Sequence, residues 1–459
     1  MWDTVGMDED VNPFEGLPDE LRAMLEQFGG GVSSFLPQLQ SMLFGGGATG
    51  PVNWDLARRV SMQLAAEGDR DPTDAERDRA EEALRLAEHW LDEGSLPAPP
   101  DGGRLIVARR TEWVDAALTS MRPLVEPVAA ASARAMGELA QEQMGDASAL
   151  PPGLADLFQG LDLAAMMRPL GATMAGIQVG QVVGQLAGQL LGQYDLGVPT
   201  APRATAMAIA VNVDEVFSGW ELDPLEVAVT LALHEAAHRR LFHAVPWLEA
   251  HLHGLVAAFA NGTRVDPEQL RRLADDLMTG IDPEDPDDLR SAMERAAAFR
   301  MQPTPEQARV LDRIQGVVCL TQAWARHEVA RAAAGRLSGL PRIDEILRRR
   351  RATKGDGEAL LEQLLGLDLK PDDETVGDAF VAAVADAGGT AGLREALAHP
   401  ENLPDRDELA DPSRWLVRMA AADAIPDDAA SLFEGLGDAP VEESADERAA
   451  RHDDDESGT

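Results

Sequence analysis

Residues 223–238 read Asp-Pro-Leu-Glu-Val-Ala-Val-Thr-Leu-Ala-Leu-His-Glu-Ala-Ala-His, and this stretch decides the fold. Asp223 can cap a helix, Pro224 suits its first turn, and Glu226 completes a capping-box pattern. A helix therefore starts here and runs to about His243, with Pro246 as its stop. Positions i and i+4 share one helix face, so His234 and His238 can both reach a single metal ion. Glu235 sits beside the first histidine and can face that ion's water. A bound zinc ion lowers the pKa of its water. Glu235 can take the released proton and later hand it to a leaving amine. The run Ala-Val-Thr-Leu-Ala-Leu ahead of the motif predicts burial, where two histidines and a glutamate need partners. A helix with hydrogen-bonded core histidines is the plainer alternative.

Zinc takes a third protein ligand. An extended motif with a glycine and a third histidine is absent, because Leu241 and Ala244 stand at those positions. His243 is five residues past His238 and points away from the pair if the helix continues. His251 and His253 fall on the next helix. The other solution is a carboxylate on a later helix.

The chain has 459 residues with 40 Lys plus Arg against 80 Asp plus Glu, a formal charge of -40. That balance argues against nucleic acid or an anionic membrane as the main partner. Aromatics are only 4% and hydrophobic residues 45%, which favours a helical protein over a β-sandwich or barrel. Cys319 is the only cysteine, so an intrachain disulfide and cysteine-based zinc or iron–sulfur sites are excluded. The first ten residues are acidic and lack a basic segment followed by an apolar one. The expected compartment is the cytoplasm.

The organisation outward from the motif follows local pattern. Residues 1–49, with triple glycines at 29–31 and 45–47, read as a flexible N-terminal arm. Residues 50–200 form a helical N-terminal part, 201–430 the part carrying the motif, and 431–459 a disordered acidic tail. Helical runs are expected at 55–90, with Thr73 and Glu76 forming a capping box, and at 112–144, 154–170, 267–300 and 305–337. Gly176, Gly180, Gly184, Gly188 and Gly192 recur every four residues, making a smooth helical stripe that another backbone can approach. Five glutamines in that stretch argue for a packed core helix over an integral membrane span. Residues 206–213 (Ala-Met-Ala-Ile-Ala-Val-Asn-Val) read as a strand. Arg348 to Arg351 read as the C-terminal end of a helix, where cations suit the dipole, in preference to a binding patch.

His-Glu-Ala-Ala-His followed by Phe242-His243-Ala244-Val245-Pro246-Trp247-Leu248 resembles an actinobacterial zincin-like family of hydrolases and zinc-dependent metalloproteases. Residues 50–58 (Gly-Pro-Val-Asn-Trp-Asp-Leu-Ala-Arg), Gly-Gln-Tyr-Asp-Leu at 192–196, Asn212-Val213 and Arg348–Ala352 agree in order, so the likeness spans about 50–420. It implies a mainly α, zincin-like metalloprotease fold with a small β element, Zn2+ as cofactor, and peptide or protein substrates. It also locates a departure. The family carries Glu-Gly-Trp on a helix some eighty residues after the motif, and here that element reads Gln322-Ala323-Trp324. Gln322 thus takes the third ligand position as a neutral amide oxygen, beside His234 and His238, with Glu235 as general base. His327-Glu328, one and a half turns on, could substitute only if the helix were rotated. The expected activity is a zinc metallopeptidase. The alternative is a catalytically impaired scaffold that binds a partner without turnover. The sequence analogy also assigns peptide pairing to 206–213 as an edge strand.

Overall fold

The computed structural model describes residues 50–100, 103–144, 163–202, 205–262, 303–353, 355–365 and 373–423. The expected arm at 1–49, the tail at 431–459 and the helix at 267–300 lie outside the described residues. In chain order the elements are α1 (Trp54–Ala65), α2 (Asp74–Leu91), β1 (Leu105–Ala108), α3 (Arg110–Ser120), α4 (Arg122–Met144), α5 (Leu163–Ala187), β2 (Ala206–Ile209), α6 (Ala210–Phe217), α7 (Pro224–Ala244), α8 (Trp247–Asn261), α9 (Pro305–Ala333), α10 (Leu340–Ala352), α11 (Asp356–Leu365), α12 (Asp373–Glu395), α13 (Arg406–Ala410) and α14 (Pro412–Asp423). Among the described residues the molecule is mainly helical with one two-stranded parallel sheet. One apolar core runs through helices from both halves of the chain and includes the fully buried Trp113, Trp324 and Trp415.

The glycine stripe is the groove that receives α1. A Cβ added at Gly176 would lie 2.5 Å from the Asn53 carbonyl oxygen, at Gly180 2.6 Å from Val60 Cβ, and at Gly184 2.7 Å from Leu64 Cβ. Three glycines one turn apart on α5 therefore let α1 pack at a distance that any side chain would forbid. Among the described residues no helix is long and apolar enough to cross a membrane. Caps hold the ends of these helices. Asn53 accepts from Leu56 N on α1, and Thr73 with Glu76 forms the expected capping box on α2.

The strand at 206–213 is shorter than its sequence pattern. It ends at Ile209, and Ala210 begins α6. The reason is Asn212, whose side-chain amide donates to the carbonyls of Ala187 and Leu190 at 2.8 and 2.6 Å, while its oxygen accepts from Arg110 Nε at 2.7 Å. The helical turn at 210–212 brings that amide to the carbonyl of Ala187, the last residue of α5, and to that of Leu190 in the turn after it. β2 is also not an edge. It pairs with β1 in register Leu105 to Ala206, and on its other side Ile209 N donates to Leu191 O at 2.8 Å while Gly192 bridges Ala208. β1 itself, Leu-Ile-Val-Ala, is a strand that the sequence pattern did not announce.

α7 is the helix expected at 224–243. Asp223 caps it by accepting from Leu225 N, but Glu226 does not close a capping box. Its carboxylate turns away to accept from Ser338 N, Ser338 Oγ and Gly339 N, fastening the start of α10 to α7. At the other end of α7, Arg239 and Arg240 are buried and reach α2. Arg239 Nη1 donates to Glu88 Oε1 at 3.1 Å, and Arg240 Nη2 donates to Glu88 Oε2 and Asp92 Oδ1 at 2.7 and 2.8 Å. The helix that carries the motif is thus pinned at both ends by charge-assisted bonds.

Candidate metal centre

His234, Glu235, His238 and Gln322 line one cleft, whose floor is α7 and whose walls come from α2, the sheet, residues 191–195, α9 and the end of α10. Four residues separated by up to 88 positions in sequence are therefore brought together, with Gln322 supplied by α9.

His238 is the most constrained of them. Its Nδ1 donates to the His234 carbonyl at 2.8 Å, one helical turn back. That bond places the proton on Nδ1 and leaves the Nε2 lone pair free. Nε2 is buried and has no hydrogen-bond partner. The Tyr194 ring stacks on the imidazole at 5.3 Å between centroids and 9° between planes, and Phe242 stacks on Tyr194 in turn. A buried acceptor without a partner is costly, and a metal ion is one chemistry that would satisfy it. His234 is half-buried on the same face. Burial first, then the charges of Arg351, His238 and Arg326, hold it well below the ordinary histidine range.

Burial likewise pushes His238 down from 6.5 to about 4, opposed by its bond to His234. Because the folded-state value lies below the unfolded one, keeping this ring neutral stabilises the fold fully above pH 6.5. That contribution is lost as pH falls from 6.5 through about 4. Thermal unfolding of the metal-free protein across this window is expected to show a steeper loss for wild type than for His238→Gln, which has no ring to protonate.

Glu235 is buried, and its carboxylate is held between two backbone segments. Oε1 accepts from Tyr194 N at 3.0 Å and Oε2 from Met207 N at 2.9 Å. Gly192 makes the room, since a Cβ there would stand 2.3 Å from Oε1. Burial raises this carboxyl from 4.5 to about 8, and the amide donors keep it from rising further. The stretch 192–196 thus builds one wall of the site. Gly192 clears the carboxylate, Tyr194 orients His238, and Asp195 accepts from Leu191 N at 2.6 Å and from Arg350 Nη1 at 3.3 Å.

Gln322 packs on Gly197, whose φ of +75° is a conformation that favours glycine. A Cβ at that position would lie 2.4 Å from Gln322 Cγ. The neighbouring Thr321 Oγ1 donates to the Gly197 carbonyl at 2.9 Å, so α9 and the turn at 194–197 are locked together. Among the described residues, no group of three or more His, Cys, Asp or Glu side chains is arranged to hold a metal ion. The two imidazoles and the Gln322 amide are by themselves a neutral set, while the carboxylates of Glu76, Asp195, Asp214 and Glu235 also line the cleft.

The other candidates stand elsewhere. His243 is exposed at the last turn of α7. His251 meets the Trp247 ring edge-on along α8. Glu328 is buried and accepts from Ser95 N, Ser95 Oγ and Arg331, so it is a structural tie and does not replace Gln322. His327 lines a second cleft, which shares His234, Arg326 and Arg351 with the first. What the sequence reading missed is Tyr194, Gly192 and the arginines 326, 350 and 351 on the cleft wall. The stretch 192–196 and the arginine cluster at 348–351 stood out in the sequence but were given other roles, and Arg326 lies one helical turn after Gln322.

The comparisons with known proteins fit this geometry. The sequence profile described as zincin-like metallopeptidase matches residues 52–416. A solved structure from Chloroflexus aurantiacus, "Crystal structure of a putative hydrolase with a novel fold", superposes with a TM-score of 0.55 at 22% identity, covering 80% of this chain and 99% of that one. At that identity it shows a shared fold. No curated protein matches the chain. With the matched region running from α1 to α14 and enclosing the whole cleft, the chain belongs to the zincin-like metallopeptidase family.

Proposed function

We propose that the protein is a zinc-dependent metallopeptidase acting on peptide or protein substrates. His234 and His238 are the imidazole ligands, Gln322 takes the third ligand position, and Glu235 is the general base. The observation that carries this reading is His238. Its ring is fixed by a backbone bond and a stacked tyrosine, with a buried Nε2 aimed at no protein partner. When bound, zinc supplies a water of lowered pKa and a Lewis acid for the scissile carbonyl. Glu235 holds the proton taken from the attacking water and returns it to the leaving amine. Its carboxylate lines the same cleft as both imidazoles, which places it for both tasks. The amides of Tyr194 and Met207 keep its carboxylate in place between the two transfers. Among the described residues β1 has one strand partner only, and Leu105 and Val107 line the cleft, so we assign peptide pairing to β1 in place of β2. We place the activity in the cytoplasm, because a chain whose one cysteine is Cys319 has no intrachain disulfide that would need oxidising conditions.

The neutral donor set favours a second reading, a member of the family impaired in metal binding that serves as a partner-binding scaffold. Zinc content of purified protein separates the two. Wild type is expected to hold zinc below one equivalent, and Gln322→Glu to raise occupancy, because a carboxylate compensates the ion's charge where an amide does not. Equal occupancy in the two proteins would remove Gln322 from the site.

A further inference from the structure

Residues 194–197 form one tight turn, closed by Gly197 N donating to the Tyr194 carbonyl at 2.7 Å. Its two ends touch two of the three donors assigned above. The Tyr194 ring stacks on His238, and Gly197 packs against Gln322, where a Cβ would lie 2.4 Å from Gln322 Cγ. Between these ends stands Asp195, and it lines the same cleft as His234, His238 and Gln322. Its carboxylate is held through one oxygen. Oδ2 accepts from Leu191 N at 2.6 Å and from Arg350 Nη1 at 3.3 Å, while Oδ1 accepts no hydrogen bond from the described residues. Arg350 is shared, because its Nη2 donates to the Gln189 carbonyl. It offsets only part of the Asp195 charge, through a single long bond.

The other carboxylates of the lining are committed elsewhere. Both Glu235 oxygens accept backbone N–H groups, from Tyr194 and Met207. Glu76 spends both oxygens on Arg70 and one of them also on Thr73 N, at the cap of α2. Asp214 is paired with Arg70, and its side chain is 61% exposed against 23% for Asp195. Asp195 is thus the lining carboxylate that is fixed in place, sheltered from water and left with an oxygen to spare.

Two imidazoles and an amide leave the charge of a divalent ion uncompensated, and in a partly buried site that charge is the largest one present. We propose that Asp195 supplies the negative charge that Gln322 lacks, acting on the ion from the cleft wall while His234, His238 and Gln322 are its direct donors. Asp195 is not itself a direct ligand, because among the described residues no three His, Cys, Asp or Glu side chains are arranged to hold a metal. Its charge is felt at the site: it opposes the downward shift of His238 and adds to the upward shift of Glu235. This inference rests on the zinc-site reading above.

The test is equilibrium dialysis of the metal-free full chain against zinc at about 0.15 M salt, where exposed charges more than about 8 Å apart are largely screened. Asp195→Asn removes the charge and keeps an oxygen for Leu191 N. It should fold as wild type does by circular dichroism and bind zinc about ten- to a hundredfold more weakly. Gln322→Glu in the Asp195→Asn background should recover most of that loss, since the charge then comes from a ligand. Asp214→Asn removes an equal charge from the same lining and should stay within about twofold of wild type. Asp195→Ser, whose hydroxyl can still accept from Leu191 N, serves should Asp195→Asn fail to fold. Wild-type zinc affinity in the folded Asp195 variant overturns the inference and leaves the zinc site standing. So does a loss that Gln322→Glu fails to recover, or an equal loss in Asp214→Asn. Folded wild type that binds no zinc overturns both.

Discussion

Glu235→Gln should lower kcat for peptide hydrolysis by about 10²–10⁴-fold while zinc stays bound. The substitution keeps the shape of the side chain and removes its capacity to hold a proton. His234 and His238 face the same cleft through their own rings and do not depend on that carboxylate for position. His238 is oriented by the His234 carbonyl and by Tyr194. One local cost is expected. Both Glu235 oxygens accept backbone N–H bonds, so the amide nitrogen of Gln must face one of those donors. Zinc content and peptide turnover measured on the same preparation check the outcome. Hydrolysis at wild-type rate would show that a different group carries the proton.

The largest loss of stability is expected at Glu88. Its carboxylate joins Arg239 and Arg240, two almost fully buried guanidiniums on the motif helix. Removing one member of a buried ion network leaves the opposite charges poorly compensated, at a cost of about 3–5 kcal/mol. Glu88→Ala should reach that range in urea unfolding. Arg240 keeps Asp92 and the Glu88 carbonyl as partners, which sets a limit on the damage. Because α7 is tethered to α2 through this network, the same variant should also bind zinc more weakly. A loss below about 1 kcal/mol, the range of an exposed pair, would mean the network contributes little.

Much of the site could be read from spacing alone. The i, i+4 histidines, the proline at the start of α7 and the stop at Pro246 are local features, and local features appear in sequence. The glycine stripe was legible for the same reason, as a smooth helix face whose occupant, α1, the sequence did not name. Gln322 was reached by resemblance only, since nothing near it in sequence marks it as lining the same cleft as His234. What escaped are roles set by tertiary placement. Arg350 and Arg351 do end a helix, as their clustering predicts. Their place on the cleft wall depends on where α10 is docked, and Glu226 docks it through Ser338 and Gly339. Glu226 itself was misread because a capping-box pattern cannot reveal a competing pair of amides from a distant turn. Asn212 was misread as a strand residue for a similar reason. Its side chain serves the carbonyls of Ala187 and Leu190, at and just after the end of α5, and that demand outweighs the β pattern around it. β1 was missed because four apolar residues are too short for periodicity to show.

The central claim is that His234 and His238 together hold a divalent cation. Equilibrium dialysis of the metal-free protein against zinc tests it directly, with His234→Ala and His238→Ala as comparisons and circular dichroism as the check on folding. Wild type should bind zinc at one site, and each alanine variant should remain folded and bind more than about a hundredfold more weakly. Zinc binding that is unchanged in both variants, or absent from folded wild type, would contradict the account.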